Sequence, residues 1–275
     1  MMTYIDSLFN LKGKTAIITG GGGVLAAAIG MGLSNAGMEI VFLDINKEAA
    51  QKAAQSINQM GGNALGLQTD VLSKAALEET CSSILDTGHS IDLLLNAAGG
   101  NMPGATISPE NTIFDLDMDD MDKVTDLNFK GTVLPSMVFG KEMAKNKSGN
   151  IINISSMAAL QSITRVVGYS AAKAAVSNLT MWMAMELAMK FDGKIRVNAI
   201  APGFFIGNQN RRLLTNEDGS YTERGQKVIN KTPMGRFGEA NELIGAVLYL
   251  ASDAASFVTG VVLPVDGGFS TFSGV

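Results

Sequence analysis

The sequence predicts a doubly wound α/β fold, in which helices cover both faces of a seven-stranded parallel sheet. Short apolar runs rich in β-forming residues alternate along the chain with stretches of helical character, which is typical of successive βαβ units. Hydrophobic residues make up 46% of the 275 residues and charged residues 17%, a balance suited to a sheet buried on both faces. Right-handed crossovers between such strands place ligands beyond the carboxyl ends of the strands.

Seven runs are predicted to be strands: Thr15–Thr19, Glu39–Asp44, Ala64–Thr69, Ile91–Asn96, Asn150–Ser155, Arg196–Ile200 and Val261–Val265. Because no linker, repeat or low-complexity tract divides the chain, residues 1–275 are expected to form a single Rossmann-like domain. The irregular stretch at 203–232 is rich in Gly and Asn and predicts a loop or short-helix insertion over a substrate site; a disordered surface loop is the alternative.

Composition excludes several classes of function. The net charge of −5 without a block of Lys or Arg argues against binding to nucleic acid or to an anionic membrane. One cysteine, Cys81, and one histidine, His89, cannot form an internal disulfide or a Cys/His zinc site, so no metal is predicted. The chain shows no signal peptide and no apolar segment long enough to span a bilayer, which favours a cytoplasmic location.

The first strand runs directly into four glycines, and a helix is predicted to begin near Val24. Glycines at such a turn let backbone N–H groups approach a pyrophosphate at the helix N-terminus. The run Gly21-x-Gly23-x-x-Ala26 fits the glycine fingerprint of dinucleotide sites with Ala in its last place, although such a run can also be a plain turn. Five residues are predicted to contact the cofactor here: Gly20, Gly22, Gly23, Val24 and Leu25.

Acidic and amide side chains follow the next strands. Asp44 ends the second strand, where an acid accepts hydrogen bonds from the adenosine ribose and repels a 2′-phosphate, so NAD is favoured over NADP; an ordinary helix N-terminal Asp is the alternative. Asp70-Val71 and Asn96-Ala97 end the third and fourth strands at the predicted cofactor edge. Either pair could also be only a turn.

Tyr169 and Lys173 are spaced i, i+4 on a predicted helix, so their side chains share one face. A phenol with a reference pKa of about 10 becomes a useful base when an ammonium group and an oxidised nicotinamide favour its ionised form. A buried tyrosine beside a lysine that extends to the surface is the structural alternative.

Seven motifs together resemble the short-chain dehydrogenase/reductase family in order and spacing, from about Leu11 to Gly268. They are Thr19-Gly20, Asp70-Val71, Asn96-Ala-Ala-Gly99, Asn128, Ser156, Tyr169-x-x-x-Lys173 and Pro202-Gly203. The sequence departs from the usual glycine pattern of the family at Val24 and Ala26. The resemblance implies that Pro202 and Gly203 also border the cofactor.

The resemblance also implies the catalytic roles. Tyr169 would be the acid/base, and Lys173 would lower the pKa of Tyr169 and bind the nicotinamide ribose. Ser156, rather than Ser155, would hold the substrate oxygen because it precedes Tyr169 by the thirteen places that the family shows. The backbone carbonyl of Asn128 would bind a water that links Lys173 to solvent.

The resemblance predicts an NAD(H)-dependent oxidoreductase that interconverts a secondary alcohol and a ketone, acting on CH–OH groups. Enoyl reduction is disfavoured because enzymes of that type space the Tyr and Lys more widely. A dinucleotide-binding regulatory protein without turnover is the alternative from another class, but it would not need both Tyr169 and Lys173.

Four segments look most like the D-mannonate oxidoreductase (fructuronate reductase) branch of the family: Thr19–Leu25, Asn96–Thr106, Phe139–Met143 and Asn208–Arg212. D-Mannonate and D-fructuronate are therefore the predicted pair, with another polyol or ketogluconate as the alternative. Met102 stands where that branch is expected to have histidine.

A sugar acid needs amide partners and a cation. Asn101, Arg165, Asn208 and Arg211 are predicted to contact the substrate together with Ser156, although each arginine could be an ordinary surface residue. The resemblance further implies a homotetramer built through long helices over Asp117–Lys145 and Arg165–Lys190, whose apolar residues a helix core would explain equally well.

Overall fold

Seven parallel strands form one sheet. The computed structural model describes residues 3–207 and 210–274. The strands are β1 (Thr15–Thr19), β2 (Glu39–Asp44), β3 (Ala64–Gln68), β4 (Leu93–Asn96), β5 (Gly149–Ile154), β6 (Ile195–Pro202) and β7 (Val262–Val265). They are ordered β3-β2-β1-β4-β5-β6-β7, and every neighbouring pair is parallel. The order reverses between β1 and β4, which is where this class of fold opens a ligand crevice.

The helices of the described residues lie between successive strands, apart from α1, which precedes β1. They are α1 (Tyr4–Leu8), α2 (Val24–Asn35), α3 (Lys47–Gln59), α4 (Lys74–Asp86), α5 (Met118–Thr125), α6 (Gly131–Asn146), α7 (Val167–Lys190), α8 (Arg211–Leu214), α9 (Glu223–Lys231) and α10 (Leu243–Ala251). None of the helices described is long and apolar enough to cross a membrane.

Alternate residues of each strand face two separate apolar layers. Ile18 and Phe42 belong to the layer covered by α2, α3 and α10, whereas Ile17 and Val41 belong to the layer covered by α4, α6 and α7. This alternation follows from the two-residue period of a strand. The structure therefore confirms the predicted sheet of seven parallel strands with helices on both faces.

The helix predicted over Asp117–Lys145 is interrupted by a π-helical turn at Asp126–Lys130. The Asn128 side-chain amide donates to the Val124 carbonyl at 2.8 Å, and the Thr132 hydroxyl donates to the Asn128 carbonyl at 2.8 Å. These side chains satisfy backbone groups that the wider turn releases, which propensity alone does not reveal. The turn places Asn128, which is fully buried, beside the ends of the central strands.

The helix predicted to begin at Arg165 begins at Val167 instead. Arg165 has φ of 80°, a left-handed conformation that is unusual for a residue with a long side chain. Its carbonyl accepts a hydrogen bond from the Ile107 N–H at 2.9 Å. This bond holds the bend that leads into α7.

Residues 203–207 and 210–232, named here the capping segment, lie against the carboxyl edge of the sheet. The segment contains α8 and α9 and contributes Leu214 and Val228 to a small apolar cluster with Met157 and Phe269. Met157 follows β5 and Phe269 follows β7 in the chain. The capping segment is thus fixed to the loops that leave the sheet.

Candidate active site

Three of the predicted catalytic side chains meet beyond the end of β5. Tyr169 lies in the first turn of α7 and Lys173 in the next, while Ser156 follows β5 by two residues. The Lys173 Nζ lies 5.6 Å from the centre of the Tyr169 ring and donates to the Ile154 carbonyl at 2.7 Å. Lys173 is only 3% exposed, so its position is set by the fold.

Burial changes the acidity of both groups. It raises the pKa of the Tyr169 phenol above its ordinary value, and a hydrogen bond with Ser156 opposes this rise with a smaller effect. Burial lowers the pKa of Lys173 to about 8, so the ammonium is still mostly charged at neutral pH. Within the chain, then, the phenol is held protonated. The depressed Tyr169 pKa that the family resemblance implies is not produced by Lys173 alone.

The two adjacent serines point in different directions. The Ser155 hydroxyl lies 2.6 Å from the Ser177 hydroxyl and donates to the Lys173 carbonyl at 3.3 Å, inside the contact between β5 and α7. The Ser156 oxygen accepts the Ala158 N–H at 3.1 Å and also interacts with the Tyr169 phenol. Ser156 is therefore the serine of this pair that faces the site.

Asn128 holds the loop after β4 in place. Its side-chain amide donates to the Gly100 carbonyl at 2.7 Å, and its side-chain oxygen accepts the Gly100 N–H at 3.3 Å. An added Cβ at Gly99 would lie 2.6 Å from this oxygen and 3.2 Å from the Lys173 Nζ. The Asn128 backbone carbonyl accepts the Thr132 hydroxyl at 2.8 Å, so this carbonyl is held in place within the helix.

The ends of β1 and β4 approach each other closely at Gly20. This glycine has φ of 62°, and an added Cβ would lie 2.7 Å from the Ala98 Cα. The buried Thr19 hydroxyl accepts the N–H groups of Ala97 and Ala98, each at 3.1 Å. Sequence reasoning included Thr19 in a motif but assigned it no role. Its place just before the glycine run was the available signal.

Asp44 reaches the glycine loop from β2. Its carboxylate accepts the N–H groups of Gly22 and Asn46, each at 2.9 Å. An added Cβ at Gly22 would lie 2.5 Å from the Ala49 Cβ. The predicted cofactor residues Asp44 and Gly22 contact each other, and the Gly22 N–H points to the carboxylate rather than toward a phosphate.

The N-terminus of α2 supplies the anion-binding end of the predicted cofactor site. Gly23 caps this 12-residue helix without a side-chain hydrogen bond, and no acidic residue occupies its first turn. The N–H groups of Val24 and Leu25 in this turn favour negative charge. A glycine cradle, a helix N-terminus of this kind and the Asp44 carboxylate fit the pyrophosphate and ribose of a dinucleotide.

The predicted cofactor residues at or just after the ends of β3 and β4 lie in different surroundings. Asp70 is half-buried, and its carboxylate accepts the Leu72 N–H at 2.8 Å in the turn after β3, while Val71 is buried beside it. Asn96 turns its amide inward, donating to the Ser136 hydroxyl and the Asn153 side-chain oxygen, each at 2.9 Å. The Asn96 amide therefore binds between the strands and helix α6 rather than at the cofactor edge, and Ala97, which follows it, is half-buried.

Pro202 ends β6, and Gly203 follows it against a turn that sequence reasoning missed. The Gly203 N–H donates to the Val265 carbonyl at 2.9 Å, and an added Cβ at Gly203 would lie 2.7 Å from the Asp266 Cα. The Asp266 carboxylate accepts the N–H groups of Gly268 and Ser270. The Asp-Gly-Gly run was the signal that could have identified this turn.

The predicted substrate residues are not all gathered in one place. The Asn101 amide donates to the Thr106 hydroxyl at 2.7 Å, and its oxygen accepts the Met102 N–H at 3.0 Å, so both groups already have local partners. Arg211 is exposed on α8. Asn208 lies outside the described residues. In the part of the chain that is described, no cluster of acidic, Cys and His side chains could hold a metal ion.

Comparison with known proteins identifies the family. A family model described as enoyl-(acyl carrier protein) reductase matches residues 23–270. The Bacillus subtilis protein named uncharacterized oxidoreductase UxuB is 46% identical over 275 residues, which cover 97% of this chain and 98% of that protein. The chain belongs to the short-chain dehydrogenase/reductase family. This confirms the family and the class of oxidoreductase acting on hydroxyl groups that the motifs predicted.

Two further relatives indicate what members of this family bind. A solved Haemophilus influenzae structure, provisionally assigned as a D-mannonate oxidoreductase with NAD bound, is 46% identical with a TM-score of 0.91 and covers 97% of this chain and 98% of its own. The Escherichia coli 2-dehydro-3-deoxy-D-gluconate 5-dehydrogenase is 33% identical over 96% of this chain and 98% of its own length.

Proposed function

We propose that this protein interconverts D-mannonate and D-fructuronate with NAD(H). The observation that carries the proposal is the meeting of Ser156, Tyr169 and buried Lys173 at the same edge of the sheet as the glycine loop and Asp44. That arrangement supplies an acid/base and an oxygen-binding hydroxyl next to a site that fits a dinucleotide.

Relatives support a sugar acid as the substrate. The Haemophilus influenzae structure carries a provisional assignment to D-mannonate, and Escherichia coli relatives include a 5-keto-D-gluconate 5-reductase at 32% identity. D-Fructuronate, like 5-keto-D-gluconate, is a six-carbon acid whose ketone lies at carbon 5 counted from the carboxylate. We infer that the reacting carbon of the substrate is C5 of a hexonate.

Each residue of the catalytic group has a separate role in alcohol oxidation. The Tyr169 oxygen accepts the proton of the substrate hydroxyl, and the Ser156 hydroxyl donates a hydrogen bond to the substrate oxygen and keeps it beside the phenol. The Lys173 ammonium favours the ionised phenol and also binds the nicotinamide ribose. The Asn128 carbonyl, held in the π-helical turn, binds a water that carries the proton from Lys173 to solvent. In ketone reduction, Tyr169 returns the proton.

The cofactor edge favours NAD over NADP. NAD supplies the acceptor for the hydride that leaves the substrate carbon. The Asp44 carboxylate binds the adenosine ribose hydroxyls and repels a 2′-phosphate, even though a Burkholderia cenocepacia relative was solved with NADP. The glycine loop and the first turn of α2 bind the pyrophosphate, and residues after β3, β4 and β6 complete the edge: Asp70, Val71, Asn96, Ala97, Pro202 and Gly203.

The substrate is bound under the capping segment. We assign its carboxylate to Arg165 and its hydroxyls to Asn101 and Arg211, with Asn208 as a further candidate outside the described residues. The test is the initial rate of NADH oxidation with D-fructuronate, 5-keto-D-gluconate and D-fructose. The proposal expects kcat/KM to be highest for D-fructuronate by about tenfold or more. A higher value for 5-keto-D-gluconate would move the assignment to a ketogluconate reductase.

The exposed apolar face of α7 supports a homotetramer. Trp182, Met185 and Met189 are more than half exposed on this helix, at spacings that place them on one face. A second copy that covers this face would remove apolar area from water. Sedimentation analysis should then give a tetramer, and Trp182→Glu should weaken it. A cytoplasmic location also remains a prediction.

A further inference from the structure

Two arginines from different parts of the chain approach each other at the edge of the capping segment. The Arg224 guanidinium donates to the Thr164 hydroxyl at 3.2 Å and to the Thr164 carbonyl at 3.3 Å. Thr164 directly precedes Arg165. Arg224 lies on α9 and Arg165 before α7, so the hydrogen bonds join the capping segment to the catalytic helix.

The two guanidinium groups are not neutralised by the protein. Among the described residues, no carboxylate lies within ion-pair distance of either group. Burial and the charge of Arg165 both lower the pKa of Arg224, as expected for partly buried like charges. In a chain of net charge −5, an unpaired pair of cations requires an explanation.

The backbone at Arg165 is held in a strained conformation. Its φ of 80° is unfavourable for a long side chain, and the bond from Ile107 N–H to its carbonyl holds it there. Strain of this kind costs stability and tends to persist where it serves a site. The bend orients residue 165 between the loop after β4 and α9.

The pair is also connected to the catalytic group. Arg224 precedes Val228 by one helical turn, so both occupy the same face of α9. Val228 packs in the cluster that contains Met157, the residue directly after Ser156. Arg165 precedes Tyr169 by four residues. Both arginines are therefore tied to residues that adjoin the proposed oxygen-binding serine and the phenol.

We infer that Arg165 and Arg224 together bind the carboxylate of the sugar-acid substrate and make this enzyme selective for acids over neutral polyols. The inference rests on the proposed function and adds Arg224, which lies in a segment without a recognisable motif. A carboxylate placed between the two guanidinium groups supplies the missing negative charge and accepts up to four charge-assisted hydrogen bonds. The reacting C5 lies toward the other end of the carbon chain, where Tyr169 and Ser156 stand.

Binding to the enzyme–NADH complex tests this without turnover, because an alcohol cannot react with the reduced cofactor. Calorimetry would compare D-mannonate and D-gluconate with D-mannitol and D-sorbitol, their neutral counterparts. The wild type should bind each acid at least about tenfold more tightly than its alditol. Arg224→Gln and Arg165→Gln should each weaken acid binding by roughly ten- to a hundredfold and leave alditol binding unchanged.

Two controls separate this role from a structural one. Lys227→Gln removes a positive charge from the same helix at an exposed ion pair with Glu223 and should leave the ratio of acid to alditol affinity unchanged. Arg224→Lys keeps the charge and should lose less acid binding than Arg224→Gln. Thermal unfolding and NADH affinity should be close to wild type in all variants.

Several outcomes would overturn the inference. They are equal binding of acids and alditols by the wild type, an unchanged ratio in Arg224→Gln, and tighter binding of mannitol 1-phosphate than of D-mannonate. If the proposed interconversion of D-mannonate and D-fructuronate were wrong, the same experiments would give another result. In that case D-mannonate would not be oxidised with NAD, while the preference for acids and its dependence on the two arginines would persist with another acid.

Discussion

The cofactor edge and the capping segment are built in contrasting ways. The cofactor edge consists of strand ends in which backbone groups and small residues meet at close range, as at Gly20 against Ala98. The capping segment consists of two short helices fixed by a small cluster around Val228. The first region follows from sheet topology, and the second depends on tertiary packing. We therefore expect changes at the first to alter nucleotide binding and changes at the second to alter substrate choice.

The largest effect is expected where the two regions meet, at Tyr169. Tyr169→Phe removes only the ionisable oxygen, so kcat should fall by about a thousandfold or more, while NADH affinity by fluorescence titration should stay within about threefold of wild type. Tyr249→Phe, a change at a partly exposed tyrosine on α10, is the matched control. Turnover of Tyr169→Phe within about tenfold of wild type would refute its acid/base role.

The adjacent serines give the next largest difference. Ser156→Ala should lower kcat about a hundredfold because the substrate oxygen loses its donor. Ser155→Ala removes a buried hydroxyl bonded to Ser177, so it should cost about 1 to 2 kcal/mol of stability with a much smaller effect on kcat. Steady-state kinetics and urea unfolding distinguish the two variants. The opposite ranking of kcat would assign the catalytic role to Ser155.

A methyl group in the glycine loop tests the close packing of the cofactor edge. Gly22→Ala would bring a Cβ to 2.5 Å from that of Ala49, so the loop must shift and the Kd for NADH should rise about tenfold. Gly245→Ala on α10 meets no atom within 4 Å and should be neutral or slightly stabilising. Unchanged NADH affinity in Gly22→Ala would show that the cofactor does not depend on this loop.

Substitution of Asp44 tests why the protein is expected to prefer NADH over NADPH. Asp44→Ala removes both the ribose partner and the charge that repels a 2′-phosphate, so the ratio of NADH to NADPH affinity should fall by about tenfold. Measurement requires titration of wild type and variant with both nucleotides. If the wild type binds NADPH as tightly as NADH, Asp44 does not face the ribose.

The smallest effect is a pH-dependent gain in stability from Lys173→Met. Burial lowers the pKa of Lys173 from its ordinary value of 10.5 to about 8, so the folded state disfavours the ammonium. The cost is complete below pH of about 8 and disappears as pH rises toward 10.5. After the loss of the bond to Ile154, the variant should be about 1 to 2 kcal/mol more stable at neutral pH. This gain should turn into a small loss in alkali, where only the missing bond remains. A gain in stability that does not change with pH would show that the buried Lys173 ammonium is not its cause.

Sequence reasoning predicted the strands and the shared helix face of Tyr169 and Lys173 well for a physical reason. Strand periodicity and the i, i+4 spacing of Tyr169 and Lys173 are local properties that survive folding unchanged. It missed the π-helical turn at Asn128, because helix propensity does not reveal the side-chain bonds from Asn128 to the Val124 carbonyl and from Thr132 to the Asn128 carbonyl. It also placed Arg165 in a helix, because the bend at this residue is held by Ile107, which is distant in the sequence.

The substrate side was harder to predict. Arg224 approaches Thr164 across sixty positions, and nothing in its neighbouring residues indicates this contact. Asn101 was predicted as a substrate partner from its position after β4, but the local bonds to Thr106 and Met102 were not visible from composition. Charged side chains on short helices take their partners from tertiary packing, and a single sequence does not encode these partners in a periodic pattern.

The most direct test of the account is the product formed from D-fructuronate and NADH that carries deuterium at its transferable position. The account predicts D-mannonate as a single stereoisomer with deuterium at C5, detected by NMR, and no product from Tyr169→Phe over the same period. Unreacted D-fructuronate, deuterium at another carbon, or the C5 epimer of D-mannonate as the main product would contradict it.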